Sequence, residues 1–250
     1  MISFHLLDLT LPSPVENLAL DEALLDDLEE TEQEPVLRLW ESDRYFVVLG
    51  RSSPHEDVHL DVCRQDGIPV LRRASGGGTV LQGPGCLCYA LVLPTQFHAH
   101  LRDIRLTNMF VLRRMAKALS PWEPAIAEQG ISDLTVKGRK IGGSAQKRKR
   151  NALLFHGTVL YGMRAGVIAR YLTQPSRQPD YRENRPHGDF LTTLDVPIQK
   201  IKQAIANEWH AHSTLDVWPR ARMSTAIGNV FERSLGQAAL QINASPIPSP

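Results

Sequence analysis

The chain has 250 residues, of which 42% are hydrophobic and 22% are charged, and its formal net charge is +1. This length and apolar content are sufficient for a packed core and exclude a chain that is disordered throughout. A net charge near zero gives no overall attraction to nucleic acid or to a membrane surface. The three cysteines, an odd number, indicate neither a disulfide framework nor a four-ligand zinc site.

The N-terminal sequence shows no basic region followed by an apolar run, and the chain contains no uninterrupted stretch of about 18 apolar residues. We therefore expect a cytoplasmic protein without a membrane segment. The run Ile2 to Leu9 predicts a first strand. The acidic segment Glu16 to Glu34 carries apolar residues at helical spacing, which predicts an amphipathic helix whose charges form a solvated face.

Further along the chain, short apolar runs bounded by turn residues predict strands, and longer runs with helical spacing predict helices. The predicted strands are 36–40, 46–50, 68–72, 86–93, 134–136 and 152–160. The predicted helices are 58–65, 101–119, 163–172 and 198–209. Because strands and helices are mixed without strict alternation, we predict an α+β fold with a central mixed β-sheet packed with helices.

No linker divides the chain, so we predict a single domain over residues 1–240 and an unstructured tail over 241–250. The segment Gln174 to Gly188 is polar and rich in arginine and proline. It is predicted to be either a lid over a site or a polar surface turn, and its length favours the lid. The residues whose role depends on that choice are Arg182, Arg185, His187 and Asp189.

The segment Arg72 to Thr79, with the sequence RRASGGGT, combines two arginines, a serine and three successive glycines. Backbone N–H groups without a neighbouring Cβ can approach a ligand closely, and the guanidinium groups add fixed positive charge. This combination suits a phosphate or a carboxylate. A glycine-rich turn with solvated arginines is the alternative. The segment fits neither the P-loop nor the dinucleotide-binding pattern.

The strongly basic segment Lys137 to Arg150 has seven basic residues in fourteen and no acid. Within it, Lys140 precedes a second glycine pair and a serine, and a lysine in such a setting can neutralise the charge of a bound acyl phosphate. The residues Lys147 to Arg150 indicate a solvated loop or a patch for an acidic partner. His156 lies in an apolar run and is predicted to be structural. We find no pattern for a metal site, a serine hydrolase or a redox pair.

Taken together, five segments in order resemble the lipoate-protein ligase A family over roughly residues 1 to 195. They are NLALDEALL at 17–25, YFVVLGRSSP at 45–54, GIPVLRRASGGGTV at 67–80, SDLTVKGRKIGGSAQ at 132–146 and LLFHGTVL at 153–160. The resemblance implies the biotin/lipoate protein ligase catalytic domain fold. It also implies that Mg-ATP activates lipoate, or octanoate, to an acyl-adenylate. The acyl group then passes to a lysine of a lipoyl carrier domain, of the 2-oxoacid dehydrogenase E2 or glycine cleavage H protein type.

The resemblance also implies roles for individual residues. Lys140 matches the family's essential lysine, which contacts the adenylate phosphate and the acyl carbonyl. The positions implied for ATP are Arg73, Gly78, Thr79, Val80, Leu81 and Lys140. The positions implied for lipoate are Arg72, Ser75, Gly76, Gly77, Gly143, Ser144, Ala145, His156, Gly157 and Thr158. Since the carrier lysine is the nucleophile, the enzyme needs none of its own.

The chain departs from the family pattern after the glycine run, where Gln82, Gly83 and Cys86 replace the usual His, Asp and Asn. It is also too short for the C-terminal accessory domain of the long ligases. We therefore expect that a separate accessory subunit supplies that domain or that the reaction proceeds without it.

Other functions remain as alternatives. Octanoyl- and lipoyl-transferases use a cysteine near the position of Ala127 or in the Gln174 segment, and neither region contains one. Biotin ligases have a loop richer in arginine. A non-catalytic relative could bind RNA or an acidic partner through the basic segment, but that segment has no aromatic residue for base stacking, so we predict no nucleic-acid partner.

Overall fold

The computed structural model describes residues 4–31 and 34–235, so the predicted tail at 241–250 lies outside the described residues. The strands are β1 His5–Asp8, β2 Val36–Trp40, β3 Phe46–Leu49, β4 Val70–Arg72, β5 Val80–Gln82, β6 Cys86–Pro94, β7 Ile126–Gln129, β8 Asp133–Val136, β9 Arg139–Arg148, β10 Ala152–Leu160 and β11 Ser213–Thr214. The helices are α1 Pro14–Thr31, α2 Leu60–Gln65, α3 Ile104–Leu119, α4 Ala165–Tyr171, α5 His187–Phe190, α6 Ile198–Glu208 and α7 Met223–Leu235.

Eight strands form one sheet in the order β11-β1-β2-β6-β10-β9-β8-β7. The sheet is mixed, because β11, β1 and β2 run parallel while the remaining neighbours are antiparallel. A second sheet has the order β4-β3-β5. The core of the larger sheet packs against α3 and α6 on one face and against α1 on the other. The predicted α+β fold with a central mixed sheet is confirmed.

Helix α1 begins with reciprocal hydrogen bonds between Ser13 and Glu16. The backbone N–H of Ser13 donates to Glu16 Oε2 at 2.9 Å, and the backbone N–H of Glu16 donates to Ser13 Oγ at 3.2 Å. The prediction of a wholly solvated charged face is wrong for Asp21, which is 2% exposed and pairs with the buried Arg38 at 2.6 Å. A buried carboxylate requires such a partner, and the partner comes from β2.

Most of the basic segment is the ten-residue strand β9, which lies between β8 and β10 and was not among the predicted strands. The turn before β9 has Lys137 and Gly138 at positive φ values of 48° and 74°. The prediction of a solvated loop at Lys147 to Arg150 is therefore wrong for Lys147 and Arg148, which belong to the strand. Strands β5, β7 and β11 and helix α7 were not predicted. No helix of the described residues is long and apolar enough to cross a membrane.

Candidate functional site

A cavity of about 120 Å³ lies where the glycine-rich loop, β9, β10 and α1 meet. Twelve of the predicted site residues line it: Arg73, Gly77, Gly78, Thr79, Val80, Lys140, Gly143, Ser144, Ala145, His156, Gly157 and Thr158. Four predicted residues, Arg72, Ser75, Gly76 and Leu81, are outside its lining. The structure thus brings the two glycine-containing segments and the β10 segment together at one site, although they are up to 85 residues apart in sequence.

On one wall of the cavity, Lys140 forms an ion pair with Asp133, with 2.7 Å between Nζ and Oδ1. The other oxygen of Asp133, Oδ2, accepts a hydrogen bond of 2.7 Å from the hydroxyl of Tyr181. Burial and the neighbouring Asp133 raise the pKa of Tyr181, so its hydroxyl stays protonated and remains a donor. A Cβ on Gly143 would lie 2.7 Å from Lys140 Nζ, so the glycine leaves room for the lysine to reach its partner.

Another wall of the cavity is the glycine-rich loop, whose carbonyls surround Arg73. This guanidinium donates to the carbonyls of Gly76 and Gly78 at 2.6 and 2.9 Å and to Ser75 Oγ at 3.0 Å. Burial lowers the pKa of Arg73 to about 10, which leaves it charged at neutral pH. In the described part of the chain no carboxylate pairs with it, so its charge favours an anion at this wall.

Arg72 lies outside the cavity lining and stabilises the glycine-rich loop through the neighbouring segment Gly50 to Ser53. Its side chain donates to the carbonyls of Gly50 and Ser53 at 2.8 and 2.9 Å, and its backbone N–H donates to Ser234 Oγ of α7 at 3.0 Å. Ser53 Oγ in turn donates to the carbonyl of Gly77 at 3.0 Å. A Cβ on Gly50 would lie 2.0 Å from that carbonyl, so only glycine permits this close approach.

A buried chain of polar groups connects α1 to the loop through His156. Asp21 Oδ2 lies 3.5 Å from His156 Nδ1, and His156 Nε2 lies 2.6 Å from Ser75 Oγ. Because Arg73 donates to Ser75 Oγ, the serine hydroxyl can donate to Nε2, which leaves the ring proton on Nδ1 facing Asp21. The sequence of contacts from Asp21 through His156 to Ser75 resembles the catalytic triad of a serine hydrolase. Ser75, however, is 2% exposed and is not in the cavity lining, so its hydroxyl is not placed to attack a substrate.

The lining also includes groups that were not predicted, among them Asp21, Asp133, Tyr89 and Cys88. The hydroxyl of Tyr89 lies 2.8 Å from Ser144 Oγ. Burial raises the pKa of the Cys88 thiol well above its ordinary value, so it is a thiol and not a thiolate at neutral pH. Asp21 and Asp133 fall within the segments that carry the family resemblance, so those segments were the available signal. No sequence signal indicated Cys88, because its position at the cavity depends on how β6 pairs with its neighbouring strands.

The three residues that depart from the family pattern, Gln82, Gly83 and Cys86, differ in whether they lie at the cavity. Gln82 lines the cavity and is 8% exposed, and its Oε1 has no hydrogen-bond partner among the described residues. Cys86 is fully buried in the core, and Gly83 packs against Tyr45. Of the three substitutions, only Gln82 therefore faces the cavity.

The segment Gln174 to Gly188 is packed against the protein. Besides the contact of Tyr181 with Asp133, Arg185 donates to the carbonyl of Gly138 at 3.1 Å, and Arg182 is 4% exposed with its guanidinium over Phe190. Burial lowers the pKa of His187 to about 4, so this side chain is neutral. The segment contacts Asp133 through Tyr181, but none of its residues lines the cavity, so its role as a lid stays a prediction.

Residues 13–210 match the lipoyl protein ligase A/B catalytic domain. The chain belongs to this family. The match covers the cavity-lining residues of the glycine-rich loop, β9 and β10, whereas α7 lies beyond its end. The resemblance drawn from the sequence is confirmed at the level of the family.

Two relatives show the range of activities in this family. A protein of Mycoplasma pneumoniae named "Probable lipoate-protein ligase A" is 28% identical over 209 residues, which cover 80% of this chain and 60% of the relative. An octanoyltransferase LipM of an Exiguobacterium strain is 31% identical over 181 residues, which cover 63% and 65% of the two chains. The chain spans between 40% and 60% of the length of the first curated relatives that it matches.

Among solved structures, the chain superposes on a bi-partite lipoate protein ligase from Thermoplasma acidophilum with a TM-score of 0.73. The sequence identity is 22%, and the superposition covers 93% of both chains. At this identity the likeness shows the fold. The archaeal lipoylation system to which that ligase belongs also includes an E2 lipoyl domain.

Proposed function

We propose that this chain is the catalytic unit of an ATP-dependent lipoate-protein ligase. The carboxylate of lipoate, or of octanoate, attacks the α-phosphorus of ATP and displaces pyrophosphate. The amine of a carrier lysine then attacks the acyl-adenylate carbonyl and releases AMP. The observation that carries this proposal is that Lys140 and the buried Arg73, which has no carboxylate partner in the described chain, line the same cavity.

In the proposed reaction, Arg73 holds the loop whose glycines and Thr79 surround the nucleotide phosphates. Lys140 contacts the mixed anhydride, where its charge stabilises the developing negative charge. Its partner Asp133 neutralises Lys140 before the substrates bind. When the acyl phosphate attracts Lys140, Asp133 is available to accept the proton that the carrier amine loses, and Tyr181 keeps its carboxylate in position.

The proposed ligase uses Mg²⁺ as the complex with ATP. Among the cavity-lining groups, the carboxylate of Asp133 is of the type that Mg²⁺ prefers and would hold the ion beside the triphosphate. When bound, the ion would neutralise charge on the triphosphate. Lipoate would lie against the other lining residues predicted for it, and Trp40 and Leu18 supply apolar surface at the same cavity.

An ATP-independent acyl transferase is the second candidate, because the LipM relative is named as an octanoyltransferase and because Cys88 lines the cavity. A thioester route requires a thiolate at the reacting carbonyl. Cys88 is 2% exposed, and burial raises its pKa, so it lacks the activation that this route needs. The ligase reaction therefore remains our first proposal.

The two proposals are separated by the intact mass of a purified lipoyl domain after incubation with this protein. One reaction contains lipoate and Mg-ATP, and the other contains octanoyl carrier protein without ATP. We expect a lipoyl mass increment only in the first reaction, and its loss with Lys140→Ala. An octanoyl increment without ATP would establish the transferase. No increment in either reaction would contradict both proposals for the chain acting alone and would direct the work to an accessory subunit or a binding role.

A further inference from the structure

Two large apolar side chains are exposed beside the cavity. Ile131 is 82% exposed and Ile104 is 58% exposed. Single exposed apolar residues are common on protein surfaces, so exposure alone indicates no function. Ile131, however, directly precedes Ser132 and Asp133, both of which line the cavity. It therefore lies at the rim, where a macromolecular acceptor would have to approach the Lys140 wall.

The fold ties the backbones of both isoleucines to one pair of amide side chains. Asn108 Nδ2 donates to the carbonyl of Ile131 at 3.1 Å, and Gln146 Nε2 donates to the carbonyl of Ile104 at 3.0 Å. The two amides are joined to each other, because Gln146 Nε2 also donates to Asn108 Oδ1 at 2.7 Å. The two backbones are thus held close to each other by hydrogen bonds, so a partner that binds both isoleucines loses little backbone entropy in ordering them.

The charge around these isoleucines is positive. Arg102 and Arg105 flank Ile104 and are exposed, and neither has an ion-pair partner in the part of the chain that the structure describes. Arg51 and Lys147 line a groove of about 490 Å³ beside the glycine-rich loop, and they too have no ion-pair partner among those residues. Asp103 lies between Arg102 and Ile104, and its side chain caps α3 by accepting a hydrogen bond from the N–H of Leu106 at 2.8 Å.

We propose that this rim is the docking surface for an acidic carrier domain whose acceptor lysine enters the cavity. The rim consists of Arg51, Arg102, Ile104, Arg105, Ile131 and Lys147. The proposal rests on the proposed function for the nature of the partner. The two isoleucines supply a central apolar contact, and the unpaired cations around them attract an acidic surface and orient it. The apolar centre and the positive rim together favour a folded acidic domain over a small acid.

The structure also refines the prediction that Lys147 to Arg150 form the patch for an acidic partner. Lys149 already pairs with Asp26 at 2.8 Å, and Arg148 donates to Gln146 Oε1 at 2.8 Å and to the carbonyl of Leu101. Because these two cations are engaged within the chain, they contribute less to a partner than Lys147 does. The docking surface therefore extends from Lys147 toward Ile131 and not along the basic segment.

The test uses the full chain and the unmodified lipoyl domain of a 2-oxoacid dehydrogenase E2 subunit, with binding measured by calorimetry at low salt. We expect Ile131→Glu and Lys147→Glu each to raise the Kd about tenfold. The controls are Val217→Glu, at a valine that is 85% exposed away from the rim, and Lys200→Glu, at an exposed lysine on α6. The controls should bind like the wild type. Thermal unfolding of every variant checks that the fold is retained.

Rim variants that bind the lipoyl domain as tightly as the wild type would overturn the docking surface, and so would a wild-type chain that does not bind this domain at all. The affinity should also fall as the salt concentration rises, because the unpaired cations are exposed and are screened. A failure of the proposed function would be distinguishable from a failure of the docking surface. In that case the lipoyl domain would still bind through the rim, but its mass would not increase in the presence of lipoate and Mg-ATP.

Discussion

The two walls of the cavity are held in different ways. The glycine-rich wall is fixed mainly through its backbone: Arg73 binds the carbonyls of Gly76 and Gly78, Ser53 Oγ binds the carbonyl of Gly77, and the N–H of Arg51 donates to the carbonyl of Ser75 at 2.8 Å. The other wall depends on three side chains, Lys140, Asp133 and Tyr181. The glycine-rich wall is therefore fixed and suited to binding, whereas the wall with Lys140 can rearrange during the reaction.

The positive charges on the two walls also differ: the charge on the fixed wall is not paired with a carboxylate, whereas the charge on the other wall is. Arg73 is buried and bound to neutral oxygens, so its charge is available to an anion without any movement. Lys140 is about one quarter exposed and is neutralised by Asp133. A substrate anion has to compete with that carboxylate, and the competition releases Asp133. Side-chain substitutions on the rearranging wall should therefore change the reaction more than stability, whereas substitutions on the fixed wall should change both.

The largest effect is expected for Lys140→Ala. We expect lipoate-dependent pyrophosphate release to fall by about 10³-fold, because the charge that stabilises the adenylate is lost. The thermal unfolding temperature should fall only modestly, since Asp133, which is 8% exposed, loses its cationic partner but keeps its hydrogen bond from Tyr181. Arg150→Ala, at an exposed residue of the turn after β9, is the control. A lysine variant with normal pyrophosphate release would remove Lys140 from the mechanism.

Arg73→Gln should affect activity and stability together. The substitution removes the donors to two loop carbonyls, and we expect a loss of about 3 kcal/mol in the free energy of unfolding, measured by urea titration. We also expect kcat/KM for ATP to fall by about 10²-fold, because the loop loses its shape and its charge. Arg44→Gln, at an exposed arginine away from the cavity, is the control. If only activity fell, the loop would not depend on Arg73 for its conformation.

Tyr181→Phe tests the positioning of Asp133 and should have a smaller effect. Loss of the hydrogen bond should lower kcat about tenfold with little change in KM for lipoate, since the tyrosine touches Asp133 and is not in the cavity lining. The matched control is Tyr171→Phe, because the hydroxyl of Tyr171 donates to Asp66 at 3.0 Å outside the cavity. Equal losses in the two variants, or a change confined to KM, would contradict a positioning role.

Glu22→Gln should have the smallest effect and concerns the support of the fixed wall by α7. Glu22 pairs with Arg233, and burial raises its pKa from 4.5 to about 7. Because the folded pKa is above the unfolded value, the contribution of Glu22 to stability is lost as the pH rises from 4.5 through 7. Glutamine does not ionise, so the variant does not lose stability in this way. Its unfolding temperature should therefore decline less than that of the wild type between these pH values, and an identical pH dependence would contradict the assignment.

The sequence predicted the main features of both walls, because the glycine run and the Lys140 segment have unusual local composition. It could not predict that Asp21 is buried, since its partner Arg38 lies 17 residues away and is brought to it by β2. Strand β9 was not predicted because glycine and lysine are poor strand formers, and its conformation is stabilised by pairing with β8 and β10. The contact of Tyr181 with Asp133, 48 residues apart, likewise depends on the tertiary fold.

The central claim is that acyl transfer proceeds through an adenylate in this cavity. It is tested most directly by measuring AMP and lipoylated carrier in the same reaction with wild-type protein, lipoate, Mg-ATP and a lipoyl domain. We expect equal amounts of AMP and lipoylated carrier, and rates of formation of both that are about 10³-fold lower with Lys140→Ala. Lipoylated carrier that accumulates without AMP would contradict the claim.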